Sequence, residues 1–529
     1  MSQVTGQLKR VCFIGGGVSR VTSIKACLEE GMSLPTGQHK RVCIIGGGVS
    51  GLSSIKACLE EGLRPVCFEQ HDHVGGQWHF SENMETGTDS LCRMFSAVVT
   101  NTSKKMTEFS DFPMRKDFPT FIPARKINSY IQDYAEHFDL KKYVQYGIRV
   151  DDVSKADDFS QSGQWKVTYT YAKEISHQKT EIFDCVMVCN GIFNEQNWPH
   201  YPGLEMFQGE VTHGGNYFHC DPYKDKNVLV VGSSFSAADI AVDLSRVAQN
   251  TYISTRRGFW IMPRLPDGQE PWDMTLFSRP LINWLPWALR TRAWGNVLKE
   301  RFNYQKFDLK PHKRFLSQSL CITDELQNKL LYGQVQAKPS ISKFTSSGVT
   351  FTDGTSIEDL DAVIFATGYR LKCAFIKDSQ VLPENSAEME MYKHIFPVNI
   401  KHQTLVCINY LRVLGSVLPT SELQARVAAR VFSGNLKLPR ASHMKRDVAE
   451  KKSEIINQWG NCTVPKEFVY FYYEELAQLL GVKPQTWKLL VTNPSLVKKL
   501  MFGPVTPAQY RLHGPHANFD VAAQSILDT

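Results

Sequence analysis

A unit of 31 residues stands twice in succession at the start of this chain, and each copy contains a run of three glycines. Residues 1–31 and residues 32–62 align without gaps and differ at seven positions. Each copy has the pattern of a strand, a glycine-rich turn and the start of a helix, which is how a dinucleotide-binding βαβ unit begins. This pattern constrains the fold more tightly than any other part of the chain.

Only the second copy has all three glycines of a G-x-G-x-x-G turn, at Gly46, Gly48 and Gly51. The first copy has Arg20 where the second has Gly51. The third glycine allows the helix to pack closely on its strand, and an arginine side chain would be forced into that contact. We therefore predict that the second copy opens the working nucleotide site.

The second copy also continues into the remainder of a nucleotide site. Residues 66–68 have the pattern of a second strand, and Glu69 follows them 18 residues after Gly51. A carboxylate at this place accepts hydrogen bonds from a ribose hydroxyl, while the start of the helix faces the pyrophosphate. The first copy runs into Met32 instead. Residues 1–31 are accordingly predicted to be a degenerate duplicate that binds no nucleotide.

Composition is that of an ordinary globular protein with two or three domains. The chain has 529 residues, of which 42% are hydrophobic and 21% charged. Its formal charge of +7 is spread along the chain, which disfavours nucleic-acid binding. The 13 cysteines form no C-x-x-C pair and no cluster at metal-ligand spacing, which favours a reducing compartment and predicts no metal site. No apolar run approaches the length of about 18 residues that a spanning helix needs.

The strand, turn and helix pattern recurs in the middle of the chain. Its strand, G-x-S-x-x-A turn, helix and next strand are predicted at residues 228–231, 232–237, 238–247 and 252–254. Where the first site has Glu69, this one has Arg256 and Arg257, and arginine suits the 2′-phosphate of NADP. The alternatives are an ordinary strand, turn and helix without a nucleotide, and two solvated charges in a loop.

Each of the two units is followed by a β-rich stretch and a strand that ends in a small-residue turn. The first such strand ends in Asn190-Gly191, and the second ends in Thr367-Gly368 after a hairpin signal at Asp353-Gly354. A linker is predicted at residues 194–203. The pattern predicts an α/β fold with two Rossmann-like, dinucleotide-binding domains, the second inserted into the first.

Several motifs in this order resemble those of the flavin-containing monooxygenases of the animal type, over residues 40–517. The most specific is F-x-G-x-x-x-H-x-x-x-Y at residues 207–217, in which the related Baeyer–Villiger enzymes have Trp in place of Tyr217. The others are GGQW at residues 75–78, STRRG at 254–258, FATGY at 365–369 and SELQ at 421–424. Taken singly, His213 is equally explained as a buried structural histidine, FATGY as a strand end and SELQ as a helix cap.

The resemblance implies two cofactors, FAD and NADPH, and assigns residues to each. Asn101 is the implied catalytic residue and reaches between flavin and nicotinamide, although Asn101-Thr102-Ser103 is also a glycosylation sequon. The implied FAD contacts are Gly46, Gly47, Gly48, Val49, Ser50, Gly51, Glu69, Gln77, Trp78, Thr100, Asn101 and Thr102. The implied NADP contacts are Gly232, Ser236, Ala237, Ala238, Asp239, Arg256 and Arg257.

The resemblance also implies the reaction. NADPH reduces FAD, the reduced flavin captures O2 as a C4a-hydroperoxide, and one oxygen passes to a soft nucleophilic nitrogen or sulfur of a small amine or sulfide. The implied domains are a degenerate duplicate at residues 1–31, the FAD-binding domain at 32–195 and 341–440, the NADP-binding domain with an insert at 196–340, and a C-terminal helical region at 441–529.

Two features depart from the animal pattern. The family turn is usually G-x-G-N-S-G, whereas this chain has Ser234, Phe235 and Ala237 at its second, third and last named positions. The chain also ends in a polar segment, whereas the animal enzymes commonly end in a hydrophobic anchor. Residues 280–294 combine three tryptophans with two arginines, which suits either a peripheral contact with lipid or an insert packed on the NADP-binding domain. We expect a cytoplasmic protein, with any membrane contact peripheral and on the cytosolic face of the endoplasmic reticulum.

Three other classes of protein share parts of this pattern. A flavin disulfide reductase needs a closely spaced redox cysteine pair, which Cys58, Cys67 and Cys92 do not provide. An uncoupled NADPH oxidase that releases H2O2 shares every motif, and Phe235 is compatible with it. A non-catalytic nucleotide-binding protein is the third alternative, and a yellow colour of the purified protein would argue against it.

Overall fold

The computed structural model describes residues 40–79, 94–171, 174–266, 268–276, 279, 286–318, 320–383, 388–460 and 464–529. The predicted degenerate duplicate at residues 1–31 lies outside the described residues, and so do residues 280–285 of the tryptophan-rich segment.

The described strands alternate with helices along most of the chain. In chain order they are β1 Arg41–Ile45, β2 Arg64–Glu69, β3 Val144–Tyr146, β4 Ile148–Lys155, β5 Trp165–Tyr171, β6 Glu174–Phe183, β7 Cys185–Val188, β8 Glu195–Gln196, β9 Glu210–His213, β10 Asn227–Val231, β11 Asn250–Ser254, β12 Trp260–Met262, β13 Leu320–Ile322, β14 Val335–Lys338, β15 Ile341–Phe344, β16 Val349–Phe351, β17 Ser356–Ile357, β18 Ala362–Phe365, β19 Tyr369–Arg370, β20 Met391–Tyr392, β21 Phe396–Pro397, β22 Leu405–Cys407, β23 Arg412–Leu414 and β24 Lys466–Phe468.

The described helices are concentrated between the strands of the two sheets and at the C-terminal end. They are α1 Val49–Glu60, α2 Lys104–Thr107, α3 Ala124–His137, α4 Phe159–Ser162, α5 Phe235–Leu244, α6 Trp272–Leu276, α7 Trp287–Arg301, α8 Leu326–Leu331, α9 Val417–Phe432, α10 Ala441–Trp459, α11 Val469–Leu480, α12 Thr486–Leu489, α13 Pro494–Phe502 and α14 Phe519–Leu527. In the described part of the chain, no helix combines the length and the apolar character needed to cross a bilayer.

The first sheet has the order β22-β7-β1-β2-β3, and all its pairings are parallel. Its central strand β1 is an apolar run that is buried on both faces, as expected for a strand covered by helices on both sides. Helix α1 follows β1 through the glycine turn of the second copy and packs on β2 and α9. The predicted strand, turn and helix of that copy are therefore confirmed.

The second sheet has the order β14-β11-β10-β18-β9 and is also parallel throughout. The chain leaves the first sheet after β7, builds the second sheet, and returns to the first sheet with β22. This order confirms the predicted α/β fold with one Rossmann-like unit inserted into the other.

One predicted boundary differs from the sheet pairing. The boundary at residue 340 assigns β18 to the second part of the first domain, yet β18 pairs with β10 and β9 in the second sheet. The physical reason is that Ala362–Phe365 is wholly buried and fills the place between those two strands. The antiparallel strands β15 to β17 come before it and include the predicted Asp353-Gly354 hairpin. The chain returns to the first sheet only at β22.

The C-terminal residues are tied to the first unit by buried charges. The Arg511 side chain is 1% exposed and pairs with Glu422 of α9 at 2.8 Å, Asp111 at 3.0 Å and Glu60 of α1 at 3.2 Å. Burial raises the pKa of Glu60, but Arg511 and Lys56 outweigh it and hold that pKa far below its usual range. Glu60 is therefore ionised, and the buried Arg511 joins α1, α9 and Asp111 through these ion pairs.

Candidate functional site

The first glycine turn brings three backbone segments into close contact. Gly46 has a φ of +105°, and a Cβ atom there would lie 2.7 Å from the carbonyl oxygen of Cys189 at the end of β7. A Cβ atom on Gly51 would lie 1.9 Å from the carbonyl oxygen of Gly46. Both positions exclude any side chain, so the third glycine is needed for the contact between helix α1 and the turn.

The start of helix α1 suits a phosphate group. Its N-cap residue Gly48 provides no side-chain cap, and the first turn contains no acidic residue. The first backbone N–H groups of the helix therefore remain available, and the helix dipole favours negative charge there. The predicted FAD residues 46–51 thus fit a dinucleotide pyrophosphate.

The GGQW motif lies directly against this turn. Gly75 N–H donates to the carbonyl of Gly47 at 3.1 Å, and a Cβ atom on Gly76 would lie 3.1 Å from the Cα atom of Gly48. Gln77 and Trp78 follow in a short 3-10 helix, and Trp78 packs against the main core. The structure therefore brings GGQW and the first turn together.

Glu69 lies at the end of β2 and already has hydrogen-bond donors within the protein. One carboxylate oxygen accepts from Gly47 N–H at 2.6 Å, and the other accepts from the backbone N–H and the ring Nδ1 of His71 at 3.0 and 2.7 Å. Burial raises the pKa of Glu69, but these hydrogen bonds outweigh it and lower the pKa below its usual value. Glu69 is ionised and also holds the glycine turn against β2, which the sequence did not predict.

The second turn has the same layout with different residues. A Cβ atom on Gly232 would lie 2.5 Å from the carbonyl oxygen of Ala366, so no side chain fits at the end of β10. The same Cβ atom on Gly232 would lie 3.0 Å from the Cβ atom of Ala237. Ala237 and Ala238 are fully buried. Alanine thus fits where the family pattern has its third glycine.

The start of helix α5 is open in the same way as that of α1. Its N-cap Ser234 makes no side-chain cap, its first turn contains no acidic residue, and Ser234 and Ser236 are exposed. Phe235, the bulky departure from the family turn, is half-buried against the main core. Its ring therefore packs into the protein, and the start of helix α5, which has no side-chain cap, can face a phosphate.

Arg256 and Arg257 follow β11 and are both exposed. Within the described residues, neither guanidinium forms a hydrogen bond or an ion pair with another side chain. Because β10 and β11 are parallel neighbours, the arginines and the glycine turn lie at the same edge of the sheet. Two uncompensated guanidinium groups beside an open helix start fit a ligand with an additional phosphate.

Asp239 is the predicted NADP contact whose pKa the protein shifts most. Burial raises the pKa of Asp239 to about 7, with further contributions from Glu325 and Asp324, while Arg264 acts in the opposite direction. The carboxylate has no hydrogen-bond partner among the described residues. Partial neutralisation removes a negative charge that would repel a pyrophosphate.

The F-x-G-x-x-x-H-x-x-x-Y motif has structural partners. Gly215 N–H donates to His213 Nδ1 at 3.0 Å, so His213 carries its proton on Nε2, which lies 3.1 Å from the carbonyl of Gly368. Tyr217 donates to Asp243 at 2.7 Å. Burial lowers the pKa of His213, which is consistent with a neutral ring. The motif therefore joins β9 to the turn after β18. This agrees with the interpretation of His213 as a buried structural histidine.

Residues 100–102 lie between the two units. Thr100 and Thr102 are buried, and Thr100 N–H donates to the carbonyl of Ile122 at 2.9 Å. Asn101 contacts the inserted unit through two residues that the sequence analysis did not identify, Arg264 and Trp272. Nothing in the sequence distinguishes Arg264 from the other basic residues, since its contacts with residues 99–101 are 163 to 165 positions away along the chain.

Comparisons with known proteins place this geometry in a family context. The model of the family described as flavin-binding monooxygenase-like matches residues 39–529. The N-oxide-forming dimethylaniline monooxygenase 2 of Rattus norvegicus is 41% identical over 527 residues, covering 98% of this chain and 91% of that protein. Flavin-containing monooxygenase 2 of Homo sapiens is 40% identical over 519 residues, covering 96% of this chain and 89% of that protein.

Solved structures share the fold at lower identity. The S-allyl-L-cysteine S-oxygenase of Allium sativum has a TM-score of 0.61 at 21% identity, covering 92% of this chain and 98% of its own. The cyclohexanone monooxygenase of Rhodococcus sp. Phi1, solved with NADP+, has a TM-score of 0.61 at 17% identity, covering 84% and 98%. These two likenesses concern the fold alone.

Proposed function

The chain belongs to the flavin-binding monooxygenase-like family, and from this premise we propose that it uses NADPH and O2 to oxygenate small molecules at a soft nucleophilic nitrogen or sulfur. The family is one of flavin-dependent monooxygenases, and the chain matches its model over almost its whole length. The relative from Rattus norvegicus forms an N-oxide, according to its name. Amines are therefore the first substrates to test, and sulfides the second.

The observation that carries this proposal is the difference between the two nucleotide sites. The first ends its second strand with the hydrogen-bonded carboxylate of Glu69, and the second ends it with the unpaired side chains of Arg256 and Arg257. A carboxylate suits a free ribose, and arginines suit a ribose 2′-phosphate. We assign FAD to the first site and NADPH to the second.

In this assignment the bound flavin would supply the redox chemistry: it would take a hydride from NADPH, transfer one oxygen atom of O2 to the substrate and release the other as water. The protein positions its cofactors and keeps water away. Residues 46–51, Glu69, Gln77 and Trp78 hold FAD, while Gly232, residues 236–239, Arg256 and Arg257 hold NADPH. Thr100 and Thr102 are buried between the units, and Asn101 between them offers amide donors to the reacting centre.

The decisive experiment measures NADPH oxidation with and without a tertiary amine, and quantifies the N-oxide and H2O2 together. We expect amine-dependent N-oxide formation that accounts for most of the NADPH consumed. NADPH consumption that appears wholly as H2O2 would instead identify an uncoupled oxidase, the alternative that the unusual Phe235 in the second turn favours. Purified protein without flavin absorbance would indicate a non-catalytic protein.

Membrane contact, if present, is proposed to be peripheral, on the cytosolic face of the endoplasmic reticulum, and to involve residues 280–294. In the described part of this segment Leu289 is 57% exposed, whereas Trp294 packs against the core and Arg290 lies 6.0 Å from the ring centre of Phe471. Flotation with liposomes distinguishes a peripheral contact with lipid from an insert packed on the NADP-binding domain. Protein that stays wholly in the soluble fraction supports an insert packed on the NADP-binding domain.

A further inference from the structure

Asn101 is held from the inserted unit by two different kinds of contact. The guanidinium Nη2 of Arg264 donates to the side-chain oxygen of Asn101 at 3.2 Å. The indole Nε1 of Trp272 donates to the backbone oxygen of Asn101 at 2.7 Å. Arg264 therefore acts on the amide group itself, and Trp272 acts on the backbone that carries it.

The chemistry of a guanidinium determines how the Asn101 amide is oriented. A guanidinium has only donors, so the amide must present its oxygen to Arg264 and direct its NH2 group away. In the described residues this NH2 group has no acceptor. Both of its N–H donors therefore remain available to a bound ligand.

Arg264 is itself held rigidly. It follows β12, and Asp324 follows the parallel neighbour β13, so the two residues lie at the same edge of that sheet. Asp324 accepts from the Arg264 backbone N–H at 2.8 Å and from its Nη1 at 2.9 Å. The remaining donors reach the carbonyls of Thr100 and Val99, each at 3.1 Å. The Arg264 side chain is only 12% exposed, so it is fixed before any ligand binds.

We propose that Arg264 is a positioning residue that sets the orientation of the Asn101 amide, so that its N–H donors face the reacting centre between the two nucleotide sites. The inference rests on the proposed function for the role of Asn101, and on the hydrogen bonds above for the role of Arg264. The contact also joins the inserted unit to the first unit at the place where both cofactors must meet. Through Arg264, the position of the inserted unit relative to the first unit determines how the N–H donors of Asn101 are oriented.

The test compares three single variants of the full FAD-loaded protein. Arg264→Met removes every donor while keeping an unbranched side chain, Arg264→Lys restores one charged donor, and the control Arg149→Met makes the same exchange at an exposed arginine. For Arg264→Met we expect the ratio of H2O2 to oxygenated product to rise about tenfold, the factor that loss of a charge-assisted hydrogen bond produces. The Michaelis constant for NADPH should change by less than about twofold, because Arg256 and Arg257 are untouched. Arg264→Lys should recover part of the loss, and Arg149→Met should leave the ratio at the wild-type value.

A double-mutant cycle with Asn101→Ala separates positioning from a general structural effect. If Arg264 acts through the amide, Arg264→Met adds no further H2O2 once the amide is gone. An undiminished effect of Arg264→Met in the Asn101→Ala background would overturn the proposal. So would an Arg264→Met variant whose H2O2 ratio equals that of the wild type.

A second readout does not depend on activity. We expect amide hydrogen exchange in residues 99–103 to be about tenfold faster in Arg264→Met than in the wild type, and unchanged in Arg149→Met, an exposed control. Unchanged exchange in Arg264→Met would overturn the inference whether or not the protein oxygenates amines. A wild-type protein that produced only H2O2 would refute the proposed function, while faster exchange in Arg264→Met would still support the contact.

Discussion

The two nucleotide turns reach a close contact between strand and helix in different ways. At the first turn, Gly51 has no room for a methyl group because the carbonyl of Gly46 would lie 1.9 Å from it. At the second turn, Ala237 carries that methyl group, and Gly232 leaves the space that it needs. The comparison shows that the third glycine of such a motif is required by a local distance and not by the nucleotide itself.

The two turns also differ in how their charges are balanced. Glu69 at the first site has three donors, and the pKa of its carboxyl lies below the usual value. At the second site the pKa of Asp239 is raised to about 7, and Arg256 and Arg257 have no ion-pair partner in the part of the chain that the structure describes. The first site balances its charge internally, whereas the second has excess positive charge for a more highly charged ligand.

The largest effect is expected from changing the third position of each turn. Gly51→Arg should abolish FAD binding, because its side chain would be forced against the Gly46 carbonyl. The matched variant Ala237→Gly only removes a methyl group and should leave FAD at about one per chain. Absorbance of the flavin after gel filtration measures both. A Gly51→Arg protein with full FAD content would contradict the distance argument.

The next largest effect concerns coenzyme preference. Replacing Arg256 and Arg257 together with Ala should lower the preference for NADPH over NADH by about tenfold or more, because charge-assisted hydrogen bonds to the 2′-phosphate are lost. Michaelis constants for both coenzymes measure this. The control is Glu69→Gln, which should change FAD content and leave the preference unaltered. An unchanged preference in the double variant would remove these arginines from the site.

A smaller effect concerns the pH dependence of stability at the first site. The folded pKa of Glu69 lies below its unfolded value, so its carboxylate stabilises the fold above an unfolded pKa of about 4.3, and this is lost as pH falls through the folded pKa. Glu69→Gln should lower the free energy of unfolding by about 1–3 kcal/mol at pH 7, and by less at pH 4. Urea titrations at both pH values measure the difference. An equal loss at both would show that the charge has no role.

Asp239 should behave in the opposite way. Its folded pKa of about 7 lies above an unfolded value of about 3.9, so its ionisation destabilises the protein as pH rises between these values. Asp239→Asn should therefore raise the Tm of the cofactor-free protein at pH 8 by about 2–4 °C and have little effect near pH 4. Thermal scans at both pH values measure this. A variant that is less stable than the wild type at pH 8 would show that the carboxylate has a stabilising partner.

The smallest effect is expected from removing the duplicate. Residues 1–31 have Arg20 at the third glycine position and provide neither a second strand nor a ribose acid. Protein that starts at Met32 should keep about one FAD per chain and full activity. Flavin stoichiometry of the two proteins measures this. Release of FAD on truncation, or two flavins in the full chain, would refute the prediction.

Local patterns were enough to predict much of the fold. The strand at residues 228–231 is observed as β10, the strand at 66–68 lies within β2, and the strand at 252–254 lies within β11. The placement of β18 was not predicted correctly by the domain boundary, because a short apolar strand does not specify which of two parallel sheets it joins.

The site was predictable where one motif contains all of its parts. The glycines of the first turn and Glu69 are separated by one βαβ unit, so their spacing implies their contact. Whether Ala237 can replace the third glycine of the family pattern could not be judged from the sequence, since the space beside Gly232 depends on Ala366, which follows the distant strand β18. Arg264 was missed for the same reason, because its partners lie in another unit.

The pairing of Arg511 with Glu60 and Glu422 has a consequence for how the protein is synthesised. The glycine turn and helix α1 leave the ribosome first, yet the sheet beside them lacks β22 until residue 407 emerges. Glu60 on α1 and Glu422 on α9 lack their shared partner Arg511 until residue 511 emerges. The first nucleotide site to be translated is therefore among the last to be completed, since contacts of such high sequence separation form slowly. During translation this unit needs protection from aggregation for longer than the inserted unit, whose five strands are all complete by residue 365.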